Sequence, residues 1–282
     1  MQFIDSQLVK FKTLLEKSIM EGGTKGKTSA IRSSTLINLI HDAVKEQLIK
    51  HKVDPDLVYP RLYETKPEIK VAGFLKQKNQ DITVLPRNHE KKPVKIDWGP
   101  LNFEGITDEY GMEYSSNMLI INVRSQMSSV AKNSDTLFER TFAESLNLHL
   151  RYPKVVLGEV YLIPTHEYDE ELIKENRIGF KKERINLEKY ISFFTAMNNR
   201  TLSDGSNEKY RYERVALLIV DFNKEVPKLY SSTEELKKDN LLKKDFDLEY
   251  SELNFENFSK DILSIYGERY KLENISLIES SY

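Results

Sequence analysis

Cysteine is absent from the 282 residues. Its absence excludes a disulfide framework and thiolate chemistry, and suits a reducing, cytoplasmic setting. Long hydrophobic runs are missing too. A stretch such as Val215 to Val220 is far shorter than the roughly 20 apolar residues a helical membrane span needs. The opening MQFIDSQLVKFK sets Asp5 and Lys10 inside its apolar pattern, so it does not read as a secretory leader. There is no internal repeat. Hydrophobic residues at 39% and aromatics at 10% are ordinary for a globular chain. A nucleotide loop is also lacking. Gly26-Lys27-Thr28 ends like a P-loop, but Glu21 stands where the pattern needs glycine, and the segment follows a helical pattern instead of a strand.

A large excess of one charge is missing as well, since the net charge is -2. Its distribution is uneven. Residues 1–100 hold 18 basic and 12 acidic side chains, residues 101–165 hold 5 and 8, and the remainder 19 and 24. A basic front and an acidic middle suit a protein that grips phosphates and holds metal ions.

Apolar residues at helical spacing predict a helix over 3–20 and a second from Ser33 or Ser34 to about Lys50. The glycine-rich, basic segment 21–34 between them is expected to be a loop whose Lys25, Lys27 and Arg32 contact DNA phosphates. Ile69–Leu75 and Asp81–Leu85 read as a hairpin about a turn at 76–80. Met118–Arg124, Val155–Ile163 and Val215–Phe222 read as strands of one sheet, with a helix over 135–152 on its face. Residues 167–199 read as helical around an irregular stretch near residue 180, 198–207 as a loop, and 232–238 and 254–266 as closing helices. The alternation predicts an α/β fold with a central mixed sheet flanked by helices. We take it as one unit: a helical, basic region 1–67, a core 68–163 and an extension of sheet and helices over 164–282.

The chemistry concentrates between residues 118 and 163. An apolar strand ends in Asn122-Val-Arg124-Ser-Gln126. Alternation puts Asn122 and Arg124 on one face, where a buried strand would have to supply both with partners. A helix carrying Glu139 and Glu144 follows, then another apolar strand. His149 and His166 flank that strand without the neighbours of a known histidine motif and read as structural. Asp221, at a strand end, has nothing beside it that points to a ligand role.

This arrangement resembles the core of type II restriction endonucleases of the PD-(D/E)xK superfamily. The resemblance spans about residues 68–163, with its specific part in the second half. It departs from the pattern at two positions: Asn122 stands where the second acid belongs, and Arg124 where lysine belongs. It implies a Mg²⁺-dependent enzyme that cleaves double-stranded DNA, acting as a homodimer because symmetric cuts need matched sites. The first acid is assigned to Asp81, with Asp108 as competitor. The second is assigned to Glu139, 15 residues after Arg124, with Glu144 as second choice. Asp81 and Glu139 would hold the metal. Arg124 would stabilise charge on the phosphate, and Asn122 or Gln126 would orient water or phosphate. The rival is a DNA-binding protein on the same fold that has lost catalysis.

Overall fold

The computed structural model describes residues 2–202 and 208–278. Its first helix, α1 (Phe3–Arg32), buries Leu8, Phe11, Leu15 and Ile19. It does not give way to a loop at 21–34. Gly23 alone leaves the helical region, with φ 52, a conformation glycine adopts without steric penalty. The limb beyond it turns back on the first. A Cβ on Gly26 would stand 1.8 Å from the Ser18 carbonyl oxygen, so glycine permits the contact. Ser33 then separates α1 from α2 (Ser34–Lys50). Its hydroxyl donates back to the Ala30 carbonyl at 2.8 Å and does not cap α2.

After Asp54-Pro55 come β1 (Val58–Tyr59), β2 (Lys70–Ala72), β3 (Gln77–Asn79) and β4 (Ile82–Val84). The expected hairpin of 69–75 with 81–85 does not form. Residues 77–79, expected as its turn, pair with β2 in a separate ribbon. The buried Ile82–Val84 run instead enters the main sheet between β1 and a later strand. A second ribbon, β5 (Val94–Lys95) with β6 (Thr107–Asp108), brackets α3 (Pro100–Phe103). Then α4 (Met112–Ser116) follows, and after it β7 (Leu119–Ser125), α5 (Ser134–His149) and β8 (Val156–Pro164), these three close to their expected bounds. Residues 166–197 are less helical than expected: β9 (His166–Tyr168), α6 (Glu170–Lys174), β10 (Phe180–Arg184) and α7 (Leu187–Met197), with β9 and β10 paired antiparallel. Of the expected loop 198–207, residues 203–207 lie outside the described residues. The chain continues with β11 (Arg214–Asp221), β12 (Lys228–Leu229), α8 (Thr233–Lys238) and α9 (Phe255–Arg269).

The sheet is six-stranded, in the order β1-β4-β7-β8-β11-β12. β7, β8 and β11 run parallel and the other pairs antiparallel, so the expected α/β mixed sheet flanked by helices is present. Period-2 alternation supplies two cores. Leu119, Ile121, Val123, Val160 and Leu162 pack with Leu8 and Phe11 of α1, Ile40 and Val44 of α2, and Ile262 of α9. Ile120, Leu157, Tyr161 and Ile163 pack on the opposite face with Leu137 of α5 and Tyr190, Ile191 and Phe194 of α7. Each such fully buried Leu, Ile or Phe contributes roughly 1.5–3 kcal/mol. Phe142, expected inward, is 42% exposed and stacks on Tyr210. No described helix is long and apolar enough to cross a membrane.

Candidate active site

Strand register assembles the site. Ile82 is opposite Ile121, which sets Asp81, at the head of β4, beside Asn122. Asn122 is in turn opposite Glu159 of β8. The alternation that buries Ile121 and Val123 on one face turns Asn122 to the other, the face of Ile120, Leu157 and Tyr161. Asp81 is tied to this level by its Oδ2, which accepts the Val123 N–H at 2.9 Å.

The row is poorly satisfied. Asn122 is 1% exposed, and neither atom of its carboxamide has a hydrogen-bond partner. Glu159 is fully buried, and neither of its carboxylate oxygens has one. The Arg124 Nε stands 3.5 Å from Glu159 Oε1, an ion pair too long for a firm hydrogen bond. The neighbouring Tyr212 hydroxyl donates its one proton to the Thr141 carbonyl at 2.8 Å. A buried polar group left in this state costs about 1–3 kcal/mol, more if charged. Burial pushes the Glu159 carboxyl up to about 7, against the pull of Arg124.

Glu144 of α5 is differently placed. Its Oε2 accepts Arg124 Nη2 and Lys78 Nζ, each at 2.5 Å. Burial alone would raise its carboxyl, but Arg124 and Lys78 outweigh burial and hold it below the ordinary range. Arg124 also reaches Thr141 Oγ1 at 3.3 Å. Burial works against its charge, yet Glu159, Tyr212 and Glu144 keep it firmly protonated. Lys78 is the most exposed of the three, with 25% of its side chain exposed against 14% for Arg124 and 11% for Glu144. His41 of α2 lies near enough for Asp81 to act on it; burial lowers its basicity and Asp81 opposes.

The sequence-predicted residues thus divide. Asp81, Asn122 and Arg124 come together. Glu139 does not join them. It is exposed on α5, five residues or about 140° from Glu144, and the second-choice acid is the one on Arg124. Gln126, half-buried, spends its amide on the Ser128 carbonyl at 2.5 Å. Asp108 is consumed structurally, accepting the Tyr110 and Gly111 N–H groups at 3.1 Å each and the Tyr152 hydroxyl at 2.7 Å. Lys25 and Arg32 are exposed. Lys27 is buried, 2.6 Å from Glu170 Oε1, and is not on the surface that a loop would have given it. His149 is structural, between the Lys209 carbonyl at 2.9 Å and Glu213 at 3.2 Å.

Sequence reasoning missed Lys78, His41 and Glu159. The signal for Glu159 was present: a lone acid inside Val155–Ile163, a run apolar enough for a sheet centre. Among the described residues no three histidine, cysteine, aspartate or glutamate side chains are grouped to hold a metal. Two carboxylates and a carboxamide oxygen nevertheless form a hard-oxygen donor set. The unpartnered oxygens of Asn122 and Glu159 are of the kind such a cation takes, whereas the unpartnered Asn122 Nδ2 is a donor and is not. No protein-family model, curated protein or solved structure matches this chain.

Proposed function

We propose that this chain is a Mg²⁺-dependent phosphodiesterase acting on duplex DNA, a restriction-type endonuclease that works as a homodimer. One observation carries the reading. The acid heading β4 accepts a backbone N–H of the strand bearing Asn122-Val-Arg124, so a carboxylate and a carboxamide share one sheet level, with the Arg124 side chain next along the same face. An acid and a cation so placed are what the resemblance to PD-(D/E)xK nucleases implies, with Asn122 and Arg124 standing where that pattern has an acid and a lysine.

Bound Mg²⁺ would supply Lewis acidity toward the scissile phosphate and an acidified water. Asp81 and Asn122 would offer it oxygen ligands. Arg124 stabilises negative charge on the phosphate. Being always protonated, it takes no proton from water, so it is not the general base. Lys78 brings a second positive charge, and Glu144 holds both cations in place. Gln126, bound to Ser128, turns away from the role of orienting water.

The test is cleavage of plasmid and phage DNA with and without Mg²⁺. Asp81→Asn and Arg124→Ala are each expected to lower the rate at least 100-fold, the order one electrostatic group supplies, with duplex binding retained in a gel shift. Glu139→Gln is expected to stay within twofold of the wild type. Cleavage by Asp81→Asn at the wild-type rate defeats the reading. One observation favours the rival. Arg124 is held between two carboxylates and Asn122 brings no charge, as in a duplex-binding protein without catalysis. Wild-type protein that binds duplex and never cuts would select it.

A further inference from the structure

We propose that Glu159 is the second carboxylate of a divalent-cation site completed by Asp81 and the Asn122 carboxamide oxygen, while Glu144 serves only to hold Arg124 and Lys78. The inference rests on the preceding reading in taking this row as the active site, and goes beyond it in naming the acid that replaces the one missing at position 122.

Three observations carry it. Asp81, Asn122 and Glu159 sit at one level on three adjacent strands. Neighbouring strands are about 4.8 Å apart, so donors projecting from one face can converge above the middle strand. The middle residue, Asn122, is 1% exposed with both polar atoms unpartnered, and so are both oxygens of the fully buried Glu159. Glu144 is the contrast, with one oxygen already taken by two cations. Asp81, Glu144 and Glu159 face two cations, Arg124 and Lys78, both of which bind Glu144 directly. Arg124 approaches Glu159 only at 3.5 Å and is shared with Glu144, so it does not fill the donor set.

The experiment titrates Mn²⁺ alone onto the full chain without DNA, following the free ion by electron paramagnetic resonance and the folded state by thermal melting. Wild type is expected to bind in the millimolar range or tighter. Glu159→Gln, of the same shape, is expected to weaken binding at least tenfold. Glu144→Gln is expected to change it less than threefold. Asn122→Asp adds a charged oxygen within the row and is expected to tighten binding at least threefold. Wild-type affinity retained in Glu159→Gln overturns the proposal, as does a wild type that takes up no Mn²⁺. Should Glu159→Gln not fold, Asn122→Asp decides: tightened binding supports the site and unchanged binding overturns it. The nuclease reading fails separately. If the wild type cleaves DNA while Glu159→Gln binds Mn²⁺ normally, this assignment is lost and the reading stands. If Mn²⁺ binding depends on Glu159 and no duplex is cut, the site stands and the reading is lost.

Discussion

Two fully buried glutamates, one on β8 and one just ahead of β11, show how far the surroundings decide what one side chain does. Glu213, just ahead of β11, accepts the Leu157 N–H at 2.8 Å, Arg200 at 2.6 Å and Arg269 at 2.9 Å, with His149 at 3.2 Å. Burial would raise its carboxyl, but His149, Arg269 and Arg200 bring it down to about 2. Glu159 has Arg124 at 3.5 Å, with the Tyr212 hydroxyl nearby, and sits near 7. The first carboxylate is neutralised in place, and the second is left wanting a cation. Glu213→Gln would leave Arg200 and Arg269 buried without their counter-charge, which destabilises by about 3–5 kcal/mol. The native carboxyl lies below its unfolded value, so its stabilisation is fully present above pH ~4.5 and is lost as pH falls toward 2. Urea unfolding at pH 7 and at pH 3 is expected to show a smaller gap between variant and wild type at pH 3. A gap equal at both would show that packing, not charge, holds Glu213.

At the scale of elements, α1 illustrates a composition that misleads. Glycine, threonine, lysine and serine between residues 21 and 34 satisfy every loop criterion, yet the segment is helical to Arg32. Gly26 is there for close approach, with a Cβ position 1.8 Å from the Ser18 carbonyl, whereas the space around Gly22 is open to 4 Å. The two glycines should therefore respond oppositely to alanine. Gly26→Ala forces the limbs apart and is expected to cost about 1–3 kcal/mol or more. Gly22→Ala removes backbone entropy from a helix and is expected to stabilise by about 0.5–1 kcal/mol. Denaturant midpoints for both variants check this. Equal effects of the same sign would mean that the fold-back does not depend on glycine. The same logic covers the short ribbon β2–β3, since it is the pairing of Lys78 with Val71 that carries its ammonium group to Glu144.

For the whole molecule, the uneven charge matters most. The first 100 residues carry 18 basic against 12 acidic side chains, and part of that surplus is internal, as Lys27 shows. Lys25 and Arg32 stay on the surface. If they contact phosphates, Lys25→Ala with Arg32→Ala should weaken duplex binding equally at all sequences and flatten the plot of log affinity against log salt by about 0.9 per lost contact. Lys27→Ala should leave that slope alone and lower the melting temperature, because Glu170 loses its partner. A salt titration with an unchanged slope in the double variant would remove this end of α1 from the DNA interface.

The long elements were legible without the structure because their information is local. The apolar strands ending at Arg124, Ile163 and Phe222 and the helix after Asn133 carry their own periodicity, and their shared, two-sided burial puts the strands in one sheet. Asn122 and Arg124 were legible for the same reason, as polar residues on a buried face. Partner choice was not local. Residues 81–85 had the pattern of a hairpin arm, but which strand they join depends on surfaces distant in the chain. On α5 the helix pattern allows Glu139 or Glu144, and only the packing of Leu137 and Thr141 turns Glu144 to Arg124. Glu159 was hidden by its apolar neighbours, and the register of β8 against β7 set it beside Asn122. The sequence by itself determined the long apolar strands, the helix after Asn133 and the class of sheet, since each rests on the spacing of side chains along one segment. The tertiary structure alone decided which carboxylates meet, since that rests on register and rotation between segments far apart in the chain.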